Sequence, residues 1–149
     1  MTGDGFTTTG HVVALGDKQG GFGNGIDLAI IKLDKLPSKV NSLSFADFEK
    51  VKIGQSVYVI GNSLGYGSCI TSGIVSDKSR VVNGSSLLMT DCAVNSGNSG
   101  GPMFNSDGKI IGVIVSGITK AEGMNFAIKG DDVRNWVTKN GVYTVAPSA

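Results

Sequence analysis

The sequence has few of the residues that build metal sites and disulfide frameworks. Its 149 residues include one histidine, two cysteines and three prolines. A four-ligand zinc site would need carboxylates besides His11, Cys69 and Cys92, and neither an HExxH motif nor paired CxxC motifs are present. Two cysteines allow one disulfide at most, which excludes a disulfide scaffold. We therefore expect no metal and no other cofactor.

Net charge and long apolar runs are also scarce. Lys and Arg total 13 against 12 Asp and Glu, so the chain lacks the basic surplus that holds nucleic acid or anionic lipid. No apolar run approaches the ~20 residues of a membrane span, and the first residues lack the basic and apolar segments of an export signal. We expect polypeptide partners, no nucleic acid and no membrane insertion. A hydrophobic content of 40% over 149 residues favours one folded domain.

Glycine, by contrast, is abundant and separates short apolar runs. The 23 glycines stand mostly singly, and the runs between them are rich in Val and Ile and have the length of strands. Such a pattern predicts an antiparallel all-β domain with many tight turns. The predicted strands cover residues 28–33, 56–60, 70–76, 87–94, 109–115 and 124–128, whereas the glycine-rich segment 14–25 predicts a loop.

Two hairpins are expected along the chain. The Asp107-Gly108 pair lies between two apolar runs and is a strong hairpin signal. A second hairpin would join residues 70–76 to 87–91 around the polar segment 77–85. Symmetric pairing about that segment would bring Cys69 and Cys92 opposite one another, within disulfide range, although two buried thiols are the interpretation we favour.

One helix is expected, over residues 131–140 near the end of the chain. Asp131 can cap it, an apolar stripe runs from Val133 through Trp136 to Val137, and Gly141 can end it. The stripe predicts an amphipathic helix that packs on the β core.

The most specific motif is GNSGGP at residues 97–102. It places Ser99 among glycines, so that the backbone N–H groups of Gly97 and Ser99 can converge on a developing oxyanion. A plain Gly-Ser turn is the alternative. The motif also fits the G-x-S-x-G elbow of α/β-hydrolases, but there a histidine follows the serine in the chain, and here His11 precedes it.

His11 is the one imidazole base available to Ser99. It follows Gly10, where a β-rich run breaks, which predicts an imidazole at the junction of a strand and a turn. Asp27 begins an apolar strand, where its carboxylate can accept an imidazole N–H. An incidental histidine and an ordinary strand-edge aspartate are the alternatives, but the order His, Asp, Ser is that of the chymotrypsin arrangement.

Six motifs in this order resemble the trypsin-like serine proteases, above all the protease domain of the HtrA (Deg) family. They are TGHVV at 9–13, DLAIIKL at 27–33, GNSLG at 61–65, TSGIVS at 71–76, TDCA at 90–93 and GNSGGP at 97–102. The resemblance implies a chymotrypsin-like double β-barrel with the active site between the barrels, and a serine endopeptidase without a cofactor. It implies His11 as general base, Asp27 as its orienting carboxylate and Ser99 as nucleophile. The amides of Gly97 and Ser99 would form the oxyanion hole.

Two departures from the family concern the N-terminal half. Asp27 follows His11 more closely than in the family, and only ten residues precede His11. We therefore expect one protease domain with a shortened N-terminal barrel over about 1–50, a C-terminal barrel over about 51–128 and no PDZ domain. Two alternatives are a self-processing protease of viral type and an inactive peptide-binding domain that uses an edge strand near 113–117.

The resemblance also locates a substrate pocket before the nucleophile and on the two strands after it. Ala93 stands where proteases with a basic preference carry Asp, and the chain has no second histidine for a pocket that accepts Glu. A pocket of this composition predicts cleavage after small or medium apolar residues. Its expected members are Ala93, Val94, Val115, Ser116, Gly117 and Asn125.

Overall fold

The computed structural model describes residues 5–16, 26–62, 67–115 and 123–141. These residues form mostly strands, followed by one helix, and confirm the all-β class with a C-terminal helix. The elements are β1 (Gly10–Leu15), β2 (Ala29–Leu33), β3 (Ser56–Gly61), β4 (Cys69–Val82), β5 (Ser85–Thr90), β6 (Pro102–Phe104), β7 (Ile110–Val115), β8 (Asn125–Lys129) and α1 (Gly130–Asn140), with a short 3₁₀ helix at Phe48–Lys50.

Strands β3 to β8 close into an antiparallel barrel in the order β3-β4-β5-β8-β7-β6. Closure occurs between β3 and β6, where Tyr58 pairs with Phe104 and Val59 with Met103. Side chains alternate along β3, so that Val57 and Val59 are buried while Tyr58 is exposed. The residues that fill the barrel with under 2% exposure include Val57, Val59, Val75, Leu88, Met103, Ile111 and Ile114.

In the described part of the N-terminal half, β1 and β2 form a two-stranded antiparallel ribbon. One face of the ribbon is apolar and exposed, with Val12, Leu15, Ile31 and Leu33 each about half accessible. The ribbon reaches the barrel through Ile26 and Leu28, which pack against a buried cluster that includes Phe45, Phe126 and Val133. The division of the chain into a shortened N-terminal barrel and a C-terminal barrel at about residue 50 stays a prediction.

The β4–β5 hairpin differs from the expected one. Its turn is Asn83-Gly84, with positive φ of 48° and 84° at the two residues, as in the type I′ turns that match the twist of a hairpin. Strand β4 therefore continues through segment 77–82, which the sequence analysis assigned to a turn. Irregular pairing between Val75 and Arg80 accommodates these polar residues in the strand.

This register separates the two cysteines. Cys69 pairs with Gly61, whereas the backbone of Cys92 lies against Gly73, four residues farther along β4. Neither cysteine is part of a disulfide. The expectation of two buried thiols therefore holds for Cys92, whereas Cys69 is only half-buried. The symmetric pairing that would have placed the two cysteines opposite one another is wrong.

The β6–β7 hairpin is confirmed. Asn105 begins its turn, and the Asn105 side-chain oxygen accepts hydrogen bonds from the N–H groups of Asp107 and Lys109 at 3.0 Å each. Gly108 has a φ of +73°, the left-handed conformation that favours glycine.

Helix α1 ends at Gly141 as expected, where the Gly141 N–H donates to the Val137 carbonyl at 2.6 Å. Its start differs, because the N-cap is Lys129 and no side chain caps the helix. Asp131 lies instead in the first turn, 3.5 Å from Arg134. Its negative charge there interacts favourably with the helix dipole. Val133 is buried against the barrel.

Among the described residues, no helix is long and apolar enough to cross a bilayer. Within the same residues, no three His, Cys, Asp or Glu side chains come together as metal ligands would.

The Asn83-Gly84 turn gives a test of the hairpin register. Gly84→Ala should lower the free energy of unfolding by about 1–2 kcal/mol, because a Cβ is unfavourable at this φ although space is open around it. Gly84→Asn is the matched control and should cost less, since Asn tolerates the left-handed region. Urea unfolding measures both, and equal losses would contradict the assigned turn.

Candidate active site

The loop that carries Ser99 leads directly from the end of segment 91–95 into β6. Its backbone is fastened to β7, since the Gly100 N–H donates to the Ile114 carbonyl at 2.8 Å and the Ile114 N–H donates to the Gly101 carbonyl at 2.9 Å. Within the loop, the Asn98 N–H donates to the Asn95 carbonyl at 3.0 Å. Strand β7 therefore fixes the loop just after the serine, and the Asn98–Asn95 bond closes a turn just before it.

Two glycines shape this loop. Gly97 and Gly100 have φ of 103° and 80°, so each provides a left-handed residue beside the exposed Ser99. The Gly97 amide is not among the donors in the described backbone hydrogen bonds of the loop. It is one of the two amides that the sequence analysis assigns to the oxyanion hole.

Asn98 is the buried anchor of the loop, with 1% exposure. Its side chain fills the space beside Gly61, where a Cβ would collide with the Asn98 amide oxygen. Gly101 lies as close to β3, and a Cβ there would stand 2.5 Å from the Ile60 carbonyl oxygen. Both glycines are therefore required by the close approach of the loop to β3.

Four polar side chains hold the segment between β5 and the serine. The Thr71 hydroxyl donates to the Ala93 carbonyl at 2.9 Å, and the Asn125 amide donates to the Cys92 carbonyl at 2.7 Å. Asp91 accepts the Ile74 N–H at 2.8 Å, in space left open by Gly73. The fourth, Thr90, donates to the Ile74 carbonyl at 2.7 Å. The sequence analysis did not identify Thr71, Thr90 and Asp91 as supports of this segment, although the motifs TSGIVS and TDCA contain them.

Cys92 lies just before the serine loop but is unsuited to be a nucleophile. Burial raises the pKa of its thiol, and the neighbouring Asp91 carboxylate adds to this increase. A raised thiol pKa leaves less of the thiolate that reacts. Ser99, which is exposed, remains the nucleophile candidate of this region.

The residues of the expected substrate pocket lie at one end of the barrel. Val115 ends β7 and pairs with Phe126, next to Asn125, while Ala93 and Val94 follow β5. The Asn125 amide is engaged by the Cys92 carbonyl, so the side chain supports the segment before the serine. Ser116 and Gly117 lie outside the described residues.

The peptide-binding alternative required an edge strand near 113–117, but the described part of β7 has neighbours on both sides. Residues Gly112 to Val115 pair with β8 on one side. On the other side, both backbone groups of Ile114 bond to the serine loop. A peptide therefore cannot add to Val113–Val115 as a new strand, and that part of the expectation is wrong.

His11 lies inside β1, where it pairs with Lys32, and not at the junction with a turn. The strand begins at Gly10, whose Cβ would stand 2.9 Å from the Lys32 carbonyl oxygen. Gly10 therefore permits the two strands to approach closely. The sequence analysis interpreted this glycine as a break in the strand. His11 and Ser99 belong to separate parts of the fold, the ribbon and the barrel loop.

The structure does not bring Asp27 to His11. The partner of His11 in β2 is Lys32. Ala29, the first residue of β2, pairs with Leu15 and lies three residues, or about 10 Å, from Lys32 along the strand. Asp27 lies two residues beyond, in a tight turn in which the Leu28 N–H donates to the Ile26 carbonyl at 2.9 Å. The carboxylate beside the imidazole is that of Asp34, whose Oδ1 is 3.4 Å from the His11 Nδ1.

Comparison with known proteins identifies the family. Residues 1–113 match the trypsin-like peptidase domain. The chain belongs to this family. It is 39% identical over 119 residues to the probable periplasmic serine protease do/HhoA-like of Haemophilus influenzae, covering 74% of this chain and 25% of that protein. It is 37% identical over 131 residues to Protease Do-like 5, chloroplastic, of Arabidopsis thaliana, covering 80% of this chain and 41% of that protein.

A solved structure of an HtrA-type protease with a tripeptide has the same fold as this trypsin-like peptidase domain. The two agree with a TM-score of 0.76 and 26% sequence identity over 91% of this chain and 45% of that one. The chain therefore spans less than half the length of each of these three relatives.

The Asn125 contact gives a test of how the serine loop is supported. Asn125→Ala should lower the free energy of unfolding by about 1–3 kcal/mol, because it leaves the carbonyl of the buried Cys92 without this donor. Asn125→Asp should cost more, since it sets a carboxylate against that carbonyl. Thermal or urea unfolding compares the two variants. An aspartate variant as stable as the parent would contradict the contact.

Proposed function

We propose that this chain is the proteolytic domain of a serine endopeptidase that acts on polypeptides. The observation that carries the proposal is the GNSGG loop, which two hydrogen bonds fasten to β7 and which the buried Asn98 anchors against β3. Three relatives that are named as proteases add support.

In the proposed mechanism, the Ser99 hydroxyl attacks the scissile carbonyl carbon while His11 Nε2 takes its proton. The N–H groups of Gly97 and Ser99 receive the oxyanion, and each such donor is worth roughly 3–4 kcal/mol of transition-state stabilisation. The proton then passes from His11 to the leaving amine, and an acyl group remains on Ser99. A water molecule, deprotonated by His11, hydrolyses the acyl-enzyme and restores the serine.

Covalent labelling tests the nucleophile and the base. A fluorophosphonate should modify Ser99, and Ser99→Ala or His11→Ala should lower the labelling rate by more than about a thousandfold. Ser96→Ala is the matched control, because it removes a neighbouring exposed serine and should label like the parent. Peptide mapping locates the adduct. Labelling that persists in Ser99→Ala would refute the nucleophile, and a parent that does not label would refute the proposed endopeptidase activity.

Substrate selectivity should follow the apolar pocket. We expect cleavage after Val, Ala, Leu or Ile, with overlapping preferences, because each methylene discriminates by only ~1–3 kcal/mol. Ala93→Asp should raise the relative turnover of peptides with Arg or Lys before the scissile bond, since it supplies a counter-charge. A peptide library measures both proteins. A parent profile dominated by Arg, Lys or Glu would contradict the pocket.

A further inference from the structure

We propose that a cleft at the end of the barrel opposite the serine loop binds an extended peptide segment that carries both an acidic and a basic side chain. The cleft has a volume of about 430 Å³, within the range of sites that hold small ligands. Three parts of the chain meet around it: residues 46–51 with the 3₁₀ helix, Gln55 and Ser56 at the start of β3, and the β6–β7 turn at 105–109.

The cleft is separate from the proposed active site. The serine loop packs against β3 at Ile60 and Gly61, whereas the cleft includes Ser56, about 17 Å back along the same strand. Likewise, the β6–β7 turn lies at the other end of β6 from the serine loop. The proposal therefore goes beyond cleavage at Ser99, and peptide binding in the cleft does not depend on that chemistry.

The start of β3 offers a strand edge to such a peptide. In the described pairing, β6 meets β3 only at Tyr58 and Val59, whereas β4 pairs with β3 from Ser56 onward. Successive residues of a strand direct their N–H and C=O groups to opposite neighbours. Because the Gln55 carbonyl accepts the Val75 N–H of β4 at 3.0 Å, the N–H and C=O of Ser56 point away from β4, to the side of the cleft. An extended peptide can pair with this edge by β-strand addition.

The charges around the cleft define the side chains of the peptide. The segment with the 3₁₀ helix contributes Asp47 and Lys50, and the β6–β7 turn contributes Asp107 and Lys109, so each presents one carboxylate and one ammonium group. Asp47 and Lys50 lie 3.9 Å apart with side chains 43% and 81% exposed, a loose surface pair whose members can exchange each other for charges of a ligand. A peptide with charges of one sign meets a like charge on both segments, whereas one with both signs finds a partner for each.

The lining residues disfavour other classes of ligand. None of the described lining residues is aromatic, so the cleft lacks a platform on which a nucleic acid base could stack. The two apolar lining residues, Ala46 and Val51, are buried and offer little surface to a lipid chain. The two aspartates repel a polyphosphate or a nucleic acid backbone. A peptide with side chains of both charges is the ligand that fits.

A titration of ¹⁵N-labelled Ser99→Ala protein tests the proposal without cleavage of the added peptide. The probe is the capped peptide acetyl-Ala-Lys-Ala-Glu-Ala-amide, whose two charged side chains share a face when the chain is extended. It should shift the amide resonances of Ser56 and Asp107 in a saturable way. The same peptide with Gln at both charged positions should bind about tenfold more weakly. Salt at about 1 M should also weaken binding of the charged probe, because it screens exposed charges.

Variants of the cleft locate the site. Lys50→Gln and Asp107→Asn should each raise the Kd of the charged probe about two- to fivefold, since each removes one charge that lines the cleft. Lys52→Gln and Glu49→Gln are the matched controls, because they remove the same charges from exposed neighbours that do not line it, and they should keep the parent Kd. Equal weakening in the controls, or equal binding of the charged and Gln peptides, would overturn the proposal.

Two N-methylated forms of the probe test the strand addition. Methyl groups on every second backbone nitrogen remove the N–H groups of one edge of the extended peptide and leave those of the other edge intact. One form should therefore lose binding, while the other binds like the probe. Equal affinities of the two forms, high or low, would overturn pairing with Ser56. Because the titrated variant lacks the proposed nucleophile, a failure here leaves the proposed protease standing, and a parent that does not label leaves the peptide site standing.

Discussion

The pairing of β3 with β6 is the constraint on which the barrel and the serine loop both depend. Only two residue pairs, Tyr58 with Phe104 and Val59 with Met103, form this seam. The side chains of Met103 and Val59, which form one of these pairs, are buried in the barrel, so apolar burial reinforces the few hydrogen bonds of the seam. Because Asn98 and Gly101 of the serine loop pack against β3, an open seam would also remove this support of the loop.

Around that seam, the serine loop is supported by close backbone approach and by polar contacts. Gly61 and Gly101 let β3 and the loop meet without side chains between them, and Asn98 fills the space that results. On the other side, Thr71 and Asn125 bind the carbonyls of the segment before the serine. The Asn125 contact also satisfies the carbonyl of the buried Cys92, which would be costly to leave without a partner.

The sequence predicted the features that depend on a few neighbouring residues. The Asp107-Gly108 hairpin and the helix end at Gly141 are local signals, and the structure has both. The Asn83-Gly84 turn is equally local, but the polar segment from Asp77 to Arg80 obscured it. Those residues stay in β4 because irregular pairing there gives polar side chains access to solvent.

The geometry around His11 could not be predicted in the same way. The position of Asp27 in a family motif says nothing about strand register, and a ribbon of alternating residues permits several registers. Close packing at Gly10 and the cross-strand hydrogen bonds of Thr8 and Thr9 fit the register that places Asp34 beside His11. These are contacts between distant residues, visible only once the strands are paired.

The order in which such a barrel folds follows from its seam. The β4–β5 and β6–β7 hairpins join residues close in sequence, whereas Tyr58 and Phe104 form the barrel pairing most distant in sequence. Long-range pairings form slowly because the loop they close must be ordered first. Closure is then a late event, and the serine loop acquires its fixed shape in the same step. A partly folded copy of this chain therefore lacks the loop conformation that holds Ser99 between β3 and β7.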